Sequence, residues 1–400
     1  MSRTDVRALR LKPQGAGASS NGCRVTGDPT TTTLACGSGR RTRLQWDVMC
    51  ASALPSTARI RALAADPRFP EKFKPIVDEF FAAYRTALVE GGLDADDYDH
   101  LLCGFVDRLE EQLDQPFTFE PYHQQILAPF DYYTYGIEFL RPLVDKARSS
   151  VRGAATMDRV ATQLAAGDNV IFLANHQTEG DPQAISLLLE DRWPDIGREM
   201  IFVAGERVTT DPLAVPFSMG RNLLCIYSKR YIDHPPEQRT TKQRHNQRTM
   251  ERMSELLAEG GQCIYVAPSG GRDRMDAHGV VQVAPFDPHS VEMFYLMAAR
   301  AGRPTHFYPM ALDTYHFLPP PGTIQTELGE TRIIRRTGIH LAVGDEIDMD
   351  HLAGSDPADR HERRARRAQA IWERVRADHD AFAEARRAGL TSRAVHGRAL

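Results

Sequence analysis

Apolar positions follow two different patterns along the 400-residue chain, and the pattern changes near residue 118. Before that point the spacing is helical. The stretch FKPIVDEFFAAYRTALVEGG places Ile76, Phe80, Tyr84 and Leu88 on one stripe and ends in two glycines, which typically stop a helix. The stretch DDYDHLLCGFVDRLEEQL repeats this spacing. We therefore predict a small helical bundle domain over residues 58–118.

After residue 118 the apolar residues fall into short runs, which are NVIFLA, MIFVAG, LLCIYS, QCIYVAP, THFYPMAL and IHLAV. These runs alternate with helical segments, a pattern typical of a layered α/β domain with a mostly parallel sheet. We predict such a domain over residues 119–400. Near its end, residues 357–390 form a heavily charged helical pattern with Ile371, Trp372 and Phe382 as apolar contacts, so this helix is expected to pack along the surface.

Composition excludes several classes of protein. Apolar residues make up 42% of the chain, enough for a sizeable core, and the net charge of −4 gives no basic field for a nucleic-acid partner. No apolar run approaches about eighteen residues, so no transmembrane segment is expected. The six cysteines stand singly, without metal-ligand spacing, which fits reduced thiols. Cys225 and Cys263 lie in apolar runs and are expected in the core.

The N-terminal segment, residues 1–57, differs from the rest of the chain. It is rich in Arg, Ser, Thr, Gly and Ala, and its only acidic residues are Asp5, Asp28 and Asp47. It has no apolar core of the kind that a secretory signal needs. The composition fits an organelle transit peptide and equally an ordinary disordered tail.

The sequence NHQTEGDP, directly after the run NVIFLA, is the first candidate site. We expect Asp181 to cap a following helix with Pro182 in its first turn, so that His176 and Asp181 flank one tight turn. A carboxylate that orients an imidazole makes a general base near neutral pH. The alternative is that Asp181 only caps and that His176 only satisfies backbone groups.

The same five-residue spacing recurs twice, in His340 with Asp345 and in His351 with Asp356. His340 begins an apolar run, whereas His351 lies in an acidic loop. Neither follows a buried strand into a polar turn, so we expect neither pair to be catalytic.

The loop APSGGRDR follows the run QCIYV and is the second candidate. Arg272 and Arg274 alternate in sequence, so they can point to one side and clamp an anion, because guanidinium groups match phosphate oxygens. The alternative is a solvated loop in which the arginines pair with Asp273.

A third strand end carries Lys229, Arg230 and Tyr231 after the run LLCIYS. A basic cluster of this size is usually solvated surface, but its position matches the other two loops and favours a share in anion binding.

Together these loops offer a base and an anion clamp. We find no apparent nucleophile, no metal-ligand spacing and no dinucleotide fingerprint, so we expect neither a cofactor nor a metal. The chemistry that fits is activation of a hydroxyl on a phosphorylated substrate for attack on a thioester.

The blocks NHQTEGDP, VAGERVTTDPLAVPFSMGRNLLCIYSK, VAPSGGRDR and YPMAL resemble, in order and spacing, those of the soluble plastid-type glycerol-3-phosphate acyltransferases. The resemblance covers roughly residues 58–390. It implies acyl transfer from acyl-[acyl carrier protein] or acyl-CoA to the sn-1 hydroxyl of glycerol 3-phosphate, by a helical domain followed by an α/β domain. It also favours a transit peptide and the chloroplast stroma, with the bacterial cytoplasm as the alternative.

By position, the resemblance makes His176 the base and Asp181 its partner, and Arg272 and Arg274 the phosphate ligands, assisted by the basic residues after YS. The chain departs from the usual plant SKKH by having SKRY, which puts the detailed geometry of Arg230 and Tyr231 in doubt. The remaining alternatives are a 1-acylglycerol-3-phosphate acyltransferase and a non-catalytic acyl-carrier-binding protein.

Overall fold

The structure, a computed structural model, describes residues 54–228, 232–321, 330–352 and 359–389. The predicted transit peptide or tail and the cluster of Lys229, Arg230 and Tyr231 lie outside the described residues, apart from the last four positions of the tail.

Twelve α-helices occur within the described ranges. They are α1 (Ser56–Ala65), α2 (Lys74–Glu90), α3 (Asp99–Asp114), α4 (Tyr132–Leu140), α5 (Ala154–Ala165), α6 (Asp181–Leu189), α7 (Pro194–Glu199), α8 (Glu206–Thr210), α9 (Val215–Ser218), α10 (Arg239–Glu259), α11 (Pro288–Arg300) and α12 (Arg360–Arg387). Short 3₁₀ helices cover Glu71–Phe73, Ala95–Tyr98, Arg141–Leu143, Lys146–Arg148 and Pro236–Gln238. In the portion that the structure describes, no helix is both long and apolar enough to span a bilayer.

Among the residues for which the structure is described, ten strands form two sheets. They are β1 (Tyr122–His123), β2 (Ser150–Arg152), β3 (Asn169–Ala174), β4 (Ile201–Gly205), β5 (Asn222–Ile226), β6 (Cys263–Val266), β7 (Arg274–Met275), β8 (Val281–Gln282), β9 (Thr305–Asp313) and β10 (His340–Val343). The main sheet has the order β1-β5-β4-β6-β3-β9-β10-β2, and β7 pairs with β8 in a separate hairpin. Its five central strands are mutually parallel, whereas β1 and β10 run antiparallel to β5 and β9. The predicted mostly parallel α/β sheet is confirmed.

Strand β3 shows why the apolar runs are continuous. Successive side chains point to opposite faces of a strand, and both faces of this sheet are covered. Val170 and Phe172 pack into one apolar cluster, while Ile171 and Leu173 pack into another on the opposite face. The predicted core cysteines are buried as well, and burial raises the pKa of the Cys225 and Cys263 thiols to about 12.

The N-terminal helices bury the stripe that the spacing predicts, since Ile76, Phe80, Tyr84 and Leu88 are all buried. Their apolar cluster continues past residue 118 to later residues that include Phe139 and Ile334. The division into domains 58–118 and 119–400 stays a prediction.

The C-terminal helix α12 packs as expected for an amphipathic surface helix. Ile371 and Phe382 are buried, and Trp372 Nε1 donates a hydrogen bond to the carbonyl O of Val283.

The parallel strands place their carboxyl ends along one edge of the sheet. The chain leaves β3, β6 and β9 in loops that start at residues 175, 267 and 314, and helix α8 follows β4 directly from residue 206. Because ligands of open α/β sheets bind at this edge, these four strand ends are where a site is expected.

Candidate active site

His176 and Asp181 form a hydrogen-bonded pair at the end of β3. His176 Nδ1 lies 2.8 Å from Asp181 Oδ2, and the Asp181 carboxylate is only 1% exposed, whereas the His176 side chain is 31% exposed. With Nδ1 held by a carboxylate, Nε2 is the ring nitrogen that can take a proton from a ligand. The structure thus brings together the two residues that the sequence spacing predicted.

The Asp181 carboxylate is held by further donors, but it does not cap the helix. The N-cap of α6 is Gly180, Asp181 is its first residue, and Pro182 lies in the first turn as predicted. The carboxylate instead turns back toward its own loop, where it accepts from the backbone N–H of Gln177 at 2.8 Å and of Thr178 at 3.2 Å. The prediction that Asp181 caps the helix is therefore wrong, because these N–H groups precede the helix.

A third donor to this carboxylate comes from the far end of β9. Thr314 Oγ1 donates to Asp181 Oδ1 at 2.6 Å. The side-chain amide oxygen of Gln177 accepts hydrogen bonds from the backbone N–H of Thr314 at 2.6 Å and of Tyr315 at 2.8 Å. These bonds fix the orientation of Asp181, and through it that of the His176 ring.

Asp273 ties the arginine loop to the histidine loop. Its backbone N–H donates to the carbonyl O of His176 at 2.7 Å. Its fully buried carboxylate accepts from Asn175 Nδ2 at 2.8 Å, Gln177 Nε2 at 3.1 Å and the N–H of Ala284 at 2.9 Å. Burial raises the pKa of Asp273, while the three donors favour its ionised form. The alternative in which Asp273 pairs with its neighbouring arginines is wrong.

Arg272 contacts Glu330 and Arg274 contacts Pro321. Arg272 Nη2 donates to the carboxylate of Glu330, at 2.6 Å from Oε1, and Arg274 Nη1 donates to the carbonyl O of Pro321. Arg207 Nη1, from the start of α8, lies 2.8 Å from the same Glu330 oxygen. Burial, and next the positive charge of Arg272, lower the pKa of Arg274. Two guanidinium groups, those of Arg207 and Arg272, thus contact the Glu330 carboxylate.

A fourth arginine is buried beside the histidine loop. Arg332 is 5% exposed, and it contacts Glu179 of the NHQTEGDP loop and Asp211, whose Oδ2 is 2.9 Å from Nη2. Burial would raise the pKa of Glu179, but the Arg332 guanidinium overrides it and lowers that pKa. Sequence reasoning missed Arg207, Glu330 and Arg332. Arg207 could have been found, because it follows a buried strand just as the other three site loops do.

An apolar cavity opens beside the pair, with about 1040 Å³ of empty volume, part of it open to solvent. Its walls carry His176 and Asp181 together with apolar side chains of α2, α3, α4, α9 and β5, which are Phe80, Phe105, Phe139, Phe217 and Leu223. A cavity of this size and lining suits an extended hydrocarbon chain.

The rival histidines lie elsewhere and have other partners. His340 Nδ1 is 2.8 Å from Ser150 Oγ, and its ring stacks on Phe382. His351 is exposed and contacts Asp348, three residues before it; Asp356 is outside the described residues. In the parts of the chain that are described, no group of three or more His, Cys, Asp or Glu side chains is arranged to hold a metal.

The chain is similar to known acyltransferases. The family model described as Acyltransferase matches residues 155–313, which contain the His176 and Arg272 loops. The chain is 39% identical over 299 residues to glycerol-3-phosphate acyltransferase ATS11, chloroplastic, of Cucurbita moschata, covering 74% of this chain and 67% of that protein. It is 37% identical over 320 residues to glycerol-3-phosphate acyltransferase, chloroplastic, of Arabidopsis thaliana, covering 79% and 69%.

A solved structure is also similar over much of the chain. The 1-acyl-sn-glycerophosphate (LPA) acyltransferase PlsC of Thermotoga maritima aligns with 85% of this chain and 97% of its own, at 13% identity and a TM-score of 0.35.

Proposed function

The chain belongs to the glycerol-3-phosphate acyltransferase family of the chloroplastic plant enzymes, and from that membership we propose how its residues carry out the reaction. It is an acyltransferase that moves a fatty acyl group to glycerol 3-phosphate, the first step of phosphatidate and glycerolipid synthesis. The acceptor position is the sn-1 hydroxyl, and the donor is acyl-[acyl carrier protein] or acyl-CoA.

His176 is the general base of this proposal. Its Nε2 takes the proton of the acceptor hydroxyl as the oxygen attacks the thioester carbonyl carbon, and Asp181 stabilises the resulting imidazolium. The tetrahedral intermediate collapses with cleavage of the carbon–sulfur bond. The leaving thiolate takes the proton from His176, which restores the neutral imidazole. The products are 1-acylglycerol 3-phosphate and the free thiol.

Arg272 and Arg274 bind the acceptor phosphate, and Lys229, Arg230 and Tyr231 assist. The support for this role is that Arg272 already contacts an anionic carboxylate and that Asp273 holds the arginine loop against the His176 backbone. Binding of the phosphate there holds the glycerol hydroxyl at a fixed distance from the base. Acyl transfer requires this positioning of the hydroxyl.

The acyl chain occupies the apolar cavity. Support comes from its lining, because phenylalanines line the cavity together with His176 and Asp181. A chain that enters along the phenylalanines would bring its thioester carbonyl beside the base.

The single observation that carries the proposal is the 2.8 Å His176–Asp181 pair at the wall of an apolar cavity. The test is purified protein with acyl-[acyl carrier protein], in which release of thiol is followed with and without glycerol 3-phosphate. Thiol release that needs glycerol 3-phosphate supports the proposal. Release that needs 1-acylglycerol 3-phosphate instead favours the second acyltransferase activity, and binding without release favours a non-catalytic protein.

The relatives named above are chloroplastic, and we place this chain in the chloroplast stroma as well, with the bacterial cytoplasm as the alternative. A fluorescent reporter fused behind residues 1–57 and expressed in a plastid-bearing host tests this directly. Import supports the plastid, and a reporter that stays in the cytosol contradicts it.

A further inference from the structure

Glu330 places a buried carboxylate against the arginines that we assign to the substrate phosphate. The residue is 3% exposed. Both of its carboxylate oxygens contact Arg272 Nη2, and Oε1 also lies 2.8 Å from Arg207 Nη1. A guanidinium that donates to a carboxylate uses the same N–H groups that it would offer to phosphate oxygens. The Glu330 carboxylate and a phosphate therefore compete for Arg272.

The backbone of Glu330 is fixed in place by a separate contact. Arg332 Nη1 donates to the carbonyl O of Glu330 at 3.1 Å, and Arg332 is itself held by Glu179 and Asp211. The carboxylate of Glu330 is thus presented to Arg272 from an anchored main chain.

The charges of this cluster are nearly balanced without any ligand. Its side chains are four arginines and three carboxylates, namely Arg207, Arg272, Arg274, Arg332, Glu179, Asp211 and Glu330. Among the residues that the structure describes, no carboxylate contacts Arg274, which donates to the Pro321 carbonyl. Within the described residues, the carboxylates already share most of the guanidinium groups, so a phosphate that binds there competes with them and most directly with Glu330 on Arg272.

We propose that Glu330 is an internal anion that occupies the arginine clamp, and that glycerol 3-phosphate binds by replacing its carboxylate on Arg272. This inference rests on the proposed function of the arginine loop. Glu330 thereby lowers the apparent affinity for glycerol 3-phosphate, because the free energy of breaking the Glu330–Arg272 contact is subtracted from the free energy of binding. It also favours acceptors with a phosphate over weaker anions, since a singly charged group displaces a carboxylate poorly.

The decisive variant is Glu330→Gln, which keeps the size of the side chain and removes its charge. Titration calorimetry without acyl donor should show that glycerol 3-phosphate binds this variant roughly three- to tenfold more tightly than wild type. The KM for plain glycerol should not fall, because glycerol has no phosphate to compete with the carboxylate. A merely structural Glu330 would instead loosen the arginines and weaken the binding of glycerol 3-phosphate.

Glu292 provides the matched control. This glutamate also bridges two arginines, Arg364 and Arg367, but on the α11–α12 contact. Glu292→Gln should lower stability without changing the Kd of glycerol 3-phosphate. If Glu330→Gln does not fold, Glu330→Asp, which withdraws the carboxylate by one methylene, should tighten binding in the same direction.

A double-variant cycle separates competition at Arg272 from a general change of charge. In an Arg272→Ala background, Glu330→Gln should no longer tighten binding, because the contested guanidinium is gone. An unchanged or weaker affinity in Glu330→Gln, or an equal gain with and without Arg272, overturns the inference. The proposed function fails separately, if wild type releases no thiol with glycerol 3-phosphate.

Discussion

The backbone N–H of Asp273 donates to the carbonyl O of His176 at 2.7 Å, so one peptide contact joins the base to the arginine loop. The Asp273 carboxylate accepts three further hydrogen bonds, two of them from Asn175 and Gln177 on either side of His176. The separation between base and phosphate ligands is therefore built into the backbone and does not depend on the substrate.

Asp273→Asn tests this coupling. An asparagine presents one N–H₂ group to donors that need an acceptor, so at least one of Asn175, Gln177 and Ala284 loses its partner. We expect a loss of about 1–3 kcal/mol in the free energy of unfolding and a fall in kcat larger than the change in KM. Urea unfolding and steady-state kinetics check this. Wild-type values for both would show that the contact is incidental.

Asp181→Asn tests the orientation of the base. The asparagine keeps the shape but no longer supports the imidazolium, so kcat should fall by at least about 100-fold. The matched control is His351→Gln, which removes an exposed histidine that contacts Asp348. This variant should leave kcat unchanged. Equal kcat values for Asp181→Asn and wild type would rule out a supporting carboxylate.

The phosphate clamp predicts a change in acceptor preference. Arg272→Ala and Arg274→Ala should each cost about 2–4 kcal/mol in kcat/KM for glycerol 3-phosphate, with little change in the dependence on donor. Plain glycerol, a very poor acceptor for wild type, should lose much less. Kinetics with both alcohols decide the matter. If the double variant Arg272→Ala, Arg274→Ala kept the wild-type preference for the phosphorylated alcohol, these arginines would not be the phosphate ligands.

His340 predicts a pH dependence of stability that is separate from catalysis. Burial lowers the pKa of His340 from 6.5 to about 4. Between these values the unfolded chain binds a proton that the folded chain does not, so stability falls as the pH drops, by at most roughly 3 kcal/mol. His340→Gln removes this contribution and should flatten the pH dependence of unfolding below about pH 6.5 while leaving acyl transfer intact. An unchanged slope in urea unfolding would contradict the assignment.

The sequence predicted the central sheet because buried parallel strands are continuous apolar runs, as β3 shows with NVIFLA. It did not predict β1 or β2. These edge strands are only two and three residues long and contain no apolar run. The hairpin of β7 and β8 was missed for the same reason.

Within the site, contacts close in sequence were predictable and distant ones were not. His176 and Asp181 are five residues apart across one turn, so their meeting follows from local geometry. Glu330 and Arg207 are separated by more than a hundred residues, and their contact depends on how β4 and the chain after β9 meet at one edge of the sheet. The buried role of Asp273 was hidden because its flanking arginines suggested a solvated loop.

The central claim is that His176 Nε2 accepts the proton of the acceptor hydroxyl. The most direct test is the rate of thiol release from acyl-[acyl carrier protein] in the presence of glycerol 3-phosphate, compared between wild type and His176→Ala, with calorimetry of glycerol 3-phosphate binding on the same samples. We predict a rate at least about 100-fold lower in the variant, with an unchanged melting temperature and an unchanged Kd for glycerol 3-phosphate. A His176→Ala protein that binds glycerol 3-phosphate and releases thiol at the wild-type rate would contradict the claim.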